Sequence, residues 1–387
     1  MTKQYQPVRF IFLYLLIILF ACSTVLAESK INSNDSTFRV IRATPHIGLV
    51  VPHHEDMVYF INNFSYGMDI NYGITKYDQS WFQYLNYPEI GFGLFYNSFG
   101  NSDIFGYGLS GYGYIQNNFI NSAKFSLRSK VALGLGFVNK PYHQDENPYN
   151  HVFGSTLNVY INLGLFARYN ISPRWAISSN LSINHLSNGS IKKPNHGINT
   201  VTFGAGVEYA LNKNSESQLL GGGRAPRSNA RDVVFFMSIG RSQRSLYKPS
   251  YYPAMSLNIN HLWWVSKKTA WGIGVDAIYY GAAPYEYSED NSAFSGNDDQ
   301  FSNADKMYGC LFGSYNFRFN HTQIFVHIGA YVLYTIKPLQ AIYPRVGVRQ
   351  QILKNLYANF SIKASFFKAE FIEFGLGYRF NYKKNTL

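Results

Sequence analysis

The chain has 387 residues, 18% of them aromatic and only 14% charged, with 32 Tyr, 31 Phe, 32 Gly and a formal net charge of +12. This is not the composition of an ordinary soluble domain. In an exported chain the charge suits anionic lipid headgroups sooner than nucleic acid, so no nucleic-acid partner is expected.

Residues 1–27 read as an export signal: Lys3 and Arg9 precede an apolar run from Phe10 to about Cys22, and Val25-Leu26-Ala27 offers a small-residue cleavage site. A competing reading makes Leu19-Phe20-Ala21-Cys22 a lipoprotein site with Cys22 lipidated, although Phe20 fits its place poorly. Cleavage after Ala27 removes Cys22 and leaves Cys310 alone, so the mature chain can form no internal disulfide. Residues 28–37 are a polar lead-in, and a barrel is expected over 38–387.

No later stretch of 18 apolar residues exists, which excludes a bundle of membrane helices. The adjacent His53-His54-Glu55-Asp56 cannot share a strand face, so a loop is expected there and not a metal site. Gly106-Tyr107-Gly108-Leu109-Ser110-Gly111 matches GxGxxG, but Tyr112-Gly113-Tyr114 continues a strand where a nucleotide site needs a helix. From Phe125 to Phe137 the odd positions are Phe, Leu, Ser, Val, Leu, Leu, Phe and the even ones Ser, Arg, Lys, Ala, Gly, Gly. The same alternation recurs at Leu157 to Leu165, Trp271 to Tyr279 and Ile372 to Phe380. A soluble sandwich would carry more charge on its polar phase; Gly, Ser and Asn suit a crowded or watery lumen, with aromatics at strand ends as interfacial girdles.

The expected fold is therefore all-β, a transmembrane antiparallel β-barrel of about sixteen strands (12 to 16), the first three the least clearly marked. An even count returns both termini to the periplasm. Val138 to Gly154 and Pro284 to Asp305 then fall outside, the latter with Glu286, Glu289, Asp290, Asp298, Asp299 and Asp305 and no base. Asn212 to Arg231, long and basic with Gly221-Gly222-Gly223, disobeys by falling inside. One wide barrel is the preferred reading, and two eight-strand barrels joined by this segment the alternative.

The chemistry concentrates in the strands expected over 173–211. His185 and Ser187 lie in phase with Leu181 and Ile183, on the apolar face, about 6.6 Å apart along a strand. That sets a base beside a nucleophile. Asn199 belongs to the apolar phase of the next strand, with Val201, Phe203, Ala205, Val207 and Tyr209. Unpartnered polar groups facing hydrocarbon cost on the order of a few kcal/mol, so three together need either headgroup-level hydration or a function.

"HLSNG" followed by "PNHGIN" resembles the signature of lipid A 3-O-deacylases of the PagL type, outer-membrane barrels with a lipid-facing active site, and in particular the larger acyloxyacyl hydrolase barrels. The resemblance implies His185 as general base, Ser187 as nucleophile, and Asn188, Gly189 and Asn195 as oxyanion or substrate contacts, in the outer membrane. It covers about 16 residues specifically, with a looser likeness in strand pattern along the mature chain. One position departs: that family carries Glu twelve residues after the Ser, where this chain has Asn199. A neutral amide can hold a tautomer but cannot stabilise imidazolium by charge. The same pattern with Asn is similar to outer-membrane phospholipase A, a calcium-dependent barrel, although Ser190 stands where that family has Arg.

Both resemblances imply serine acyl-ester hydrolysis, of lipid A or of phospholipid, with a porin-like barrel without catalysis as the alternative from another class. No cofactor is expected, calcium entering only with the phospholipase reading; oligomeric state is open, a dimer included. Lys192 and Lys193, in the loop between the site strands, are candidates for lipid A phosphates or plain interfacial lysines. "LNINHLWW" from Leu257 repeats "LSINHL" and again puts a His in the apolar phase, but Trp263 takes the place of Ser.

Overall fold

The computed structural model describes residues 36–212, 223–243, 246, 250–287, 301–365 and 368–383. The expected signal, Cys22 and four of the six acids after Pro284 lie outside these residues. Sixteen strands run antiparallel in two closed barrels. The first contains β1 (Thr37–Val51), β2 (Ser65–Lys76), β3 (Glu89–Ser98), β4 (Tyr107–Asn121), β5 (Phe125–Val138), β6 (Leu157–Asn170), β7 (Trp175–Ser187) and β8 (Ile198–Ala210). The second contains β9 (Arg231–Gln243), β10 (Tyr251–Trp264), β11 (Thr269–Tyr280), β12 (Met307–Phe319), β13 (Thr322–Tyr334), β14 (Ile342–Gln351), β15 (Leu356–Ser365) and β16 (Lys368–Lys383). Among the described residues three short α-helices sit between strands, α1 (Glu55–Val58), α2 (Ser80–Tyr84) and α3 (Ala283–Tyr287), with a single 3-10 turn at Ala304–Lys306.

The preference for one wide barrel is thus corrected. β1 closes on β8, with Val51 opposite Asn199, and β9 closes on β16. Eight strands enclose an interior just wide enough for side chains, and the inward phase supplies charges that neutralise one another. In the first lumen Arg42 bridges Glu89 and Glu208, Arg128 pairs with Glu89 at 2.8 Å, and Lys130 reaches Asp69 at 3.2 Å. In the second, Arg345 pairs with Asp276 and with Glu373, and Lys363 with Glu370. Neither interior is the wide lumen that a porin-like reading needs.

The outward phase is the apolar one, as the alternation predicts. Leu181 and Ile183 are each 53% exposed, whereas Leu186 and Ile198, of the opposite phase, are fully buried. Trp175 against Tyr209 and Trp271 against Tyr315 mark strand ends at one rim. Long connections leave β1, β3, β5 and β7 at the opposite rim, here the loop end, and short ones leave β10, β12 and β14 at the turn end. GxGxxG opens β4 with no helix after it, and Gly106 takes φ +70°.

The barrels touch at both rims. At the turn end Phe82 of α2 meets Phe319 edge-on at 5.6 Å, and Lys268 donates to the Tyr84 carbonyl at 3.1 Å. At the loop end the contact falls on the β7–β8 connection. Ile372 belongs to the outward phase of β16, yet is only 3% exposed, because Gly189 lies against it.

Candidate active site

The site follows from hairpin register. β7 and β8 pair so that His185 stands directly opposite Asn199, which brings the two side chains together on the outer face of the barrel. His185 Nδ1 is 2.7 Å from Asn199 Oδ1, and His185 Nε2 is 2.9 Å from Ser187 Oγ. An amide oxygen only accepts, so the proton sits on Nδ1 and Nε2 is left as a base toward the Ser187 hydroxyl. All three residues are half-buried among exposed apolar neighbours of the same phase, including Phe203.

Residues 188–197 close this hairpin in a conformation with several positive φ values: Gly189 at +59°, Ser190 at +66° and Gly197 at +73°. Its internal staple is Asn188. The Asn188 side-chain amide donates to Ser155 Oγ and to the Lys192 carbonyl, both at 2.8 Å, and its oxygen accepts from Lys192 N at 3.3 Å. The Asn188 backbone N–H donates to Asn195 Oδ1 at 2.9 Å. Beneath it the β5–β6 connection supplies the His151 and Val152 carbonyls, which accept from His196 N and Gly197 N.

From the other side the second barrel holds the loop. Ser190 Oγ donates to the Ala369 carbonyl at 2.6 Å, Gln243 N donates to the Ser190 carbonyl at 2.9 Å, and Lys193 N donates to Gln243 Oε1 at 2.9 Å. A non-glycine residue at positive φ is unfavourable. At Ser190 both polar oxygens are tied to the second barrel, which fixes that conformation.

Two comparisons of sequence identify the fold's relatives. The family model described as lipid A 3-O-deacylase (PagL) matches residues 65–208, and the one described as acyloxyacyl hydrolase, C-terminal domain, matches residues 230–382. The matches take up most of both barrels. The chain belongs to the lipid A 3-O-deacylase and acyloxyacyl hydrolase family. It is accordingly an integral barrel protein of the outer membrane. No curated protein matches it by sequence. Among solved structures, the outer membrane enzyme PagL is 13% identical with a TM-score of 0.33, covering 43% of this chain and 97% of that one. Neisserial surface protein A is 12% identical with a TM-score of 0.29, covering 44% of this chain and 96% of that one. At these scores both are neighbours by name only.

Within this deacylase-family barrel the residues singled out by sequence divide. His185, Ser187 and Asn199 come together. Asn188 is buried and committed to the loop, so its side chain is no free donor. Among the described residues, neither the Gly189 N–H nor the Asn195 amide nitrogen donates a hydrogen bond, and both lie in the loop that begins beside Ser187. Lys192 is exposed. Lys193 turns toward the second barrel, its ammonium donating to Ser190 Oγ at 3.2 Å. Burial pushes the Lys193 ammonium below its usual range, with Glu286 of α3 opposing and Lys368 reinforcing. Burial pushes the Glu286 carboxyl up against the pull of Lys368 and Lys193.

Sequence reading missed two residues at the site. Gly197 backs onto Ser187 and His185: a Cβ there would stand 3.0 Å from Ser187 Cβ and 3.1 Å from His185 Cε1. The "PNHGIN" string contained the signal, but a positive φ is visible only in the folded loop. The other is His53, for which the sequence predicts only a loop. Its Nδ1 lies 3.4 Å from Asn199 Nδ2 and its Nε2 is 2.7 Å from the His196 carbonyl oxygen.

Proposed function

We propose that this chain is a serine esterase that hydrolyses an ester-linked acyl chain of lipid A, which reaches the site laterally from the bilayer. The observation that carries the reading is the Ser187–His185–Asn199 relay on the outer wall, among side chains that otherwise suit only hydrocarbon. A hydroxyl and an imidazole placed there are desolvated unless they serve each other and a polar substrate group.

In this reading the acyl chain lies along Leu181, Ile183 and Phe203, and the ester carbonyl stands at the level of Ser187. Oγ attacks the carbonyl carbon while His185 Nε2 takes its proton. The tetrahedral oxyanion is met by the Gly189 N–H and the Asn195 amide; loss of one such donor typically slows acyl transfer by about 10² to 10³. Collapse breaks the ester bond, and the departing alkoxide takes the proton back from His185. Water, deprotonated by the same base, then releases the fatty acid and restores Ser187. Lys192, at the exposed edge of the loop, suits a lipid A phosphate.

Mass spectrometry of lipid A incubated with the protein tests this. Loss of one acyl chain, abolished by Ser187→Ala and unaffected by EDTA, is expected. Intact lipid A with released lysophospholipid would move the assignment to a phospholipase, and no product of either kind would remove it. EDTA insensitivity is expected because Ser190, at the position where a calcium-dependent site has its Arg, spends its hydroxyl and carbonyl on the second barrel.

A further inference from the structure

We propose that His53 is a positioning residue that lets a neutral amide act as third member of the relay; the inference rests on the esterase reading above. An amide has two ends of nearly the same shape and opposite hydrogen-bonding character. If Asn199 turned its nitrogen toward His185, the facing Nδ1 would have to accept, the ring proton would move to Nε2, and the base toward Ser187 would be gone. Something must therefore choose the end, and His185 alone cannot, since either of its tautomers satisfies one orientation.

His53 makes the choice. β1 closes the barrel against β8, so the chain leaving Val51, which pairs with Asn199, carries His53 over the Asn199 side chain. His53 Nε2 is 2.7 Å from the His196 carbonyl, which can only accept, so Nε2 holds the proton and Nδ1 of the neutral ring is an acceptor. That acceptor faces Asn199 Nδ2, at a long 3.4 Å, and favours the nitrogen on its own side. Asn199 Oδ1 is left facing His185 Nδ1 at 2.7 Å, and His185 Nε2 is left free for the Ser187 hydroxyl at 2.9 Å. A backbone carbonyl thus sets the polarity of four side chains in turn. The His54 ring, stacked on His196 at 3.8 Å, supports the loop that offers this carbonyl.

A carboxylate at position 199 would need no such help, because both of its oxygens accept. Acyl release from lipid A is therefore to be followed for His53→Ala in the full chain, alone and combined with Asn199→Glu and with Asn199→Ala. In the natural background His53→Ala should lower kcat about ten- to a hundredfold, the scale of a misplaced catalytic group, with KM little changed. In the Asn199→Glu and Asn199→Ala backgrounds it should change kcat by less than about twofold, as expected of a group acting only through Asn199. An equal cost in all three backgrounds would assign His53 to loop structure and overturn the proposal, as would no cost in the natural one. Should Asn199→Glu be inactive by itself, the Asn199→Ala background decides. Activity surviving Ser187→Ala would instead sink the esterase reading, whatever His53 does.

Discussion

β7 and β10 carry nearly the same words, "SINHLS" and "NINHLW", and end in different surroundings. Each presents its histidine on the outer face of its barrel. β7 runs toward the loop end, so His185 arrives beside a long connection that returns with Asn199 and supplies Gly189, Asn195 and Gly197. β10 runs toward the turn end, so His261 arrives at a tight turn, packs edge-on against Trp263 at 4.2 Å and hydrogen-bonds the Tyr382 hydroxyl. Opposite His261 stand Ile273 and Val233. Strand direction separates a relay from an interfacial aromatic cluster, and a short motif cannot report direction.

The largest expected effect breaks that comparison at Ser187, the proposed nucleophile. Ser187→Ala should reduce acyl release by about 10⁶-fold, the scale for losing the nucleophile of such a relay. His261→Ala should leave the rate within about twofold, as a surface change far from the chemistry. Rates from released fatty acid, with heat-modified gel mobility to show that both barrels are folded, make the measurement. Comparable losses from the two variants would mean that the chemistry is not confined to the end of β7.

Next comes the loop that follows β7 and has no counterpart after β10. Gly197→Ala would force a side chain into a φ of +73° and against both Ser187 and His185. A shift of about 1 Å in reacting groups costs on the order of 10²-fold, so a loss of that size is expected with the barrel intact. An unchanged rate would show that the loop yields without disturbing the relay.

How much of this was legible in the sequence follows from the same contrast. Strand phase was legible, because outward apolar and inward small or polar residues alternate with period two, and so was the meeting of His185, Ser187 and Asn199 on one face. Closure was not. In a sixteen-strand barrel β8 would pair with β9, whereas in an eight-strand barrel it pairs with β1; strand pattern does not distinguish these, and the misplaced segment from Asn212 to Arg231 is the one local hint. The unrecognised closure hid His53, which reaches Asn199 only because β1 is its neighbour. It also hid Ile372 and Gln243, outward by phase yet buried, since their burial comes from the other barrel.

Gln243→Ala sharpens the contrast between a braced loop and a plain turn. It removes the acceptor of the Lys193 N–H, and an unmet buried donor costs about 1–3 kcal/mol. The cost should appear as faster amide exchange in residues 188–197 and a roughly tenfold lower rate, if the open loop is inactive. Exchange confined to the second barrel would show that the brace does not reach the site.

The smallest effect is the one expected to be nil. Trp263→Ser, made in a Ser187→Ala background, writes the His-x-Ser spacing of β7 onto β10 and should restore no detectable hydrolysis. His261 would keep its hydrogen bond to Tyr382 and would gain no amide to hold its other nitrogen, because the cross-strand neighbours are Ile273 and Val233. No loop with free donors lies beyond position 263: Val265 N and Ser266 N both donate to the Thr269 carbonyl across the turn. A hydroxyl without an oriented base is a poor nucleophile, and without oxyanion donors its intermediate is unsupported. Measurable acyl release from this variant would mean that His and Ser two apart on a lipid-exposed strand suffice, and that Asn199, the loop and the second barrel are dispensable.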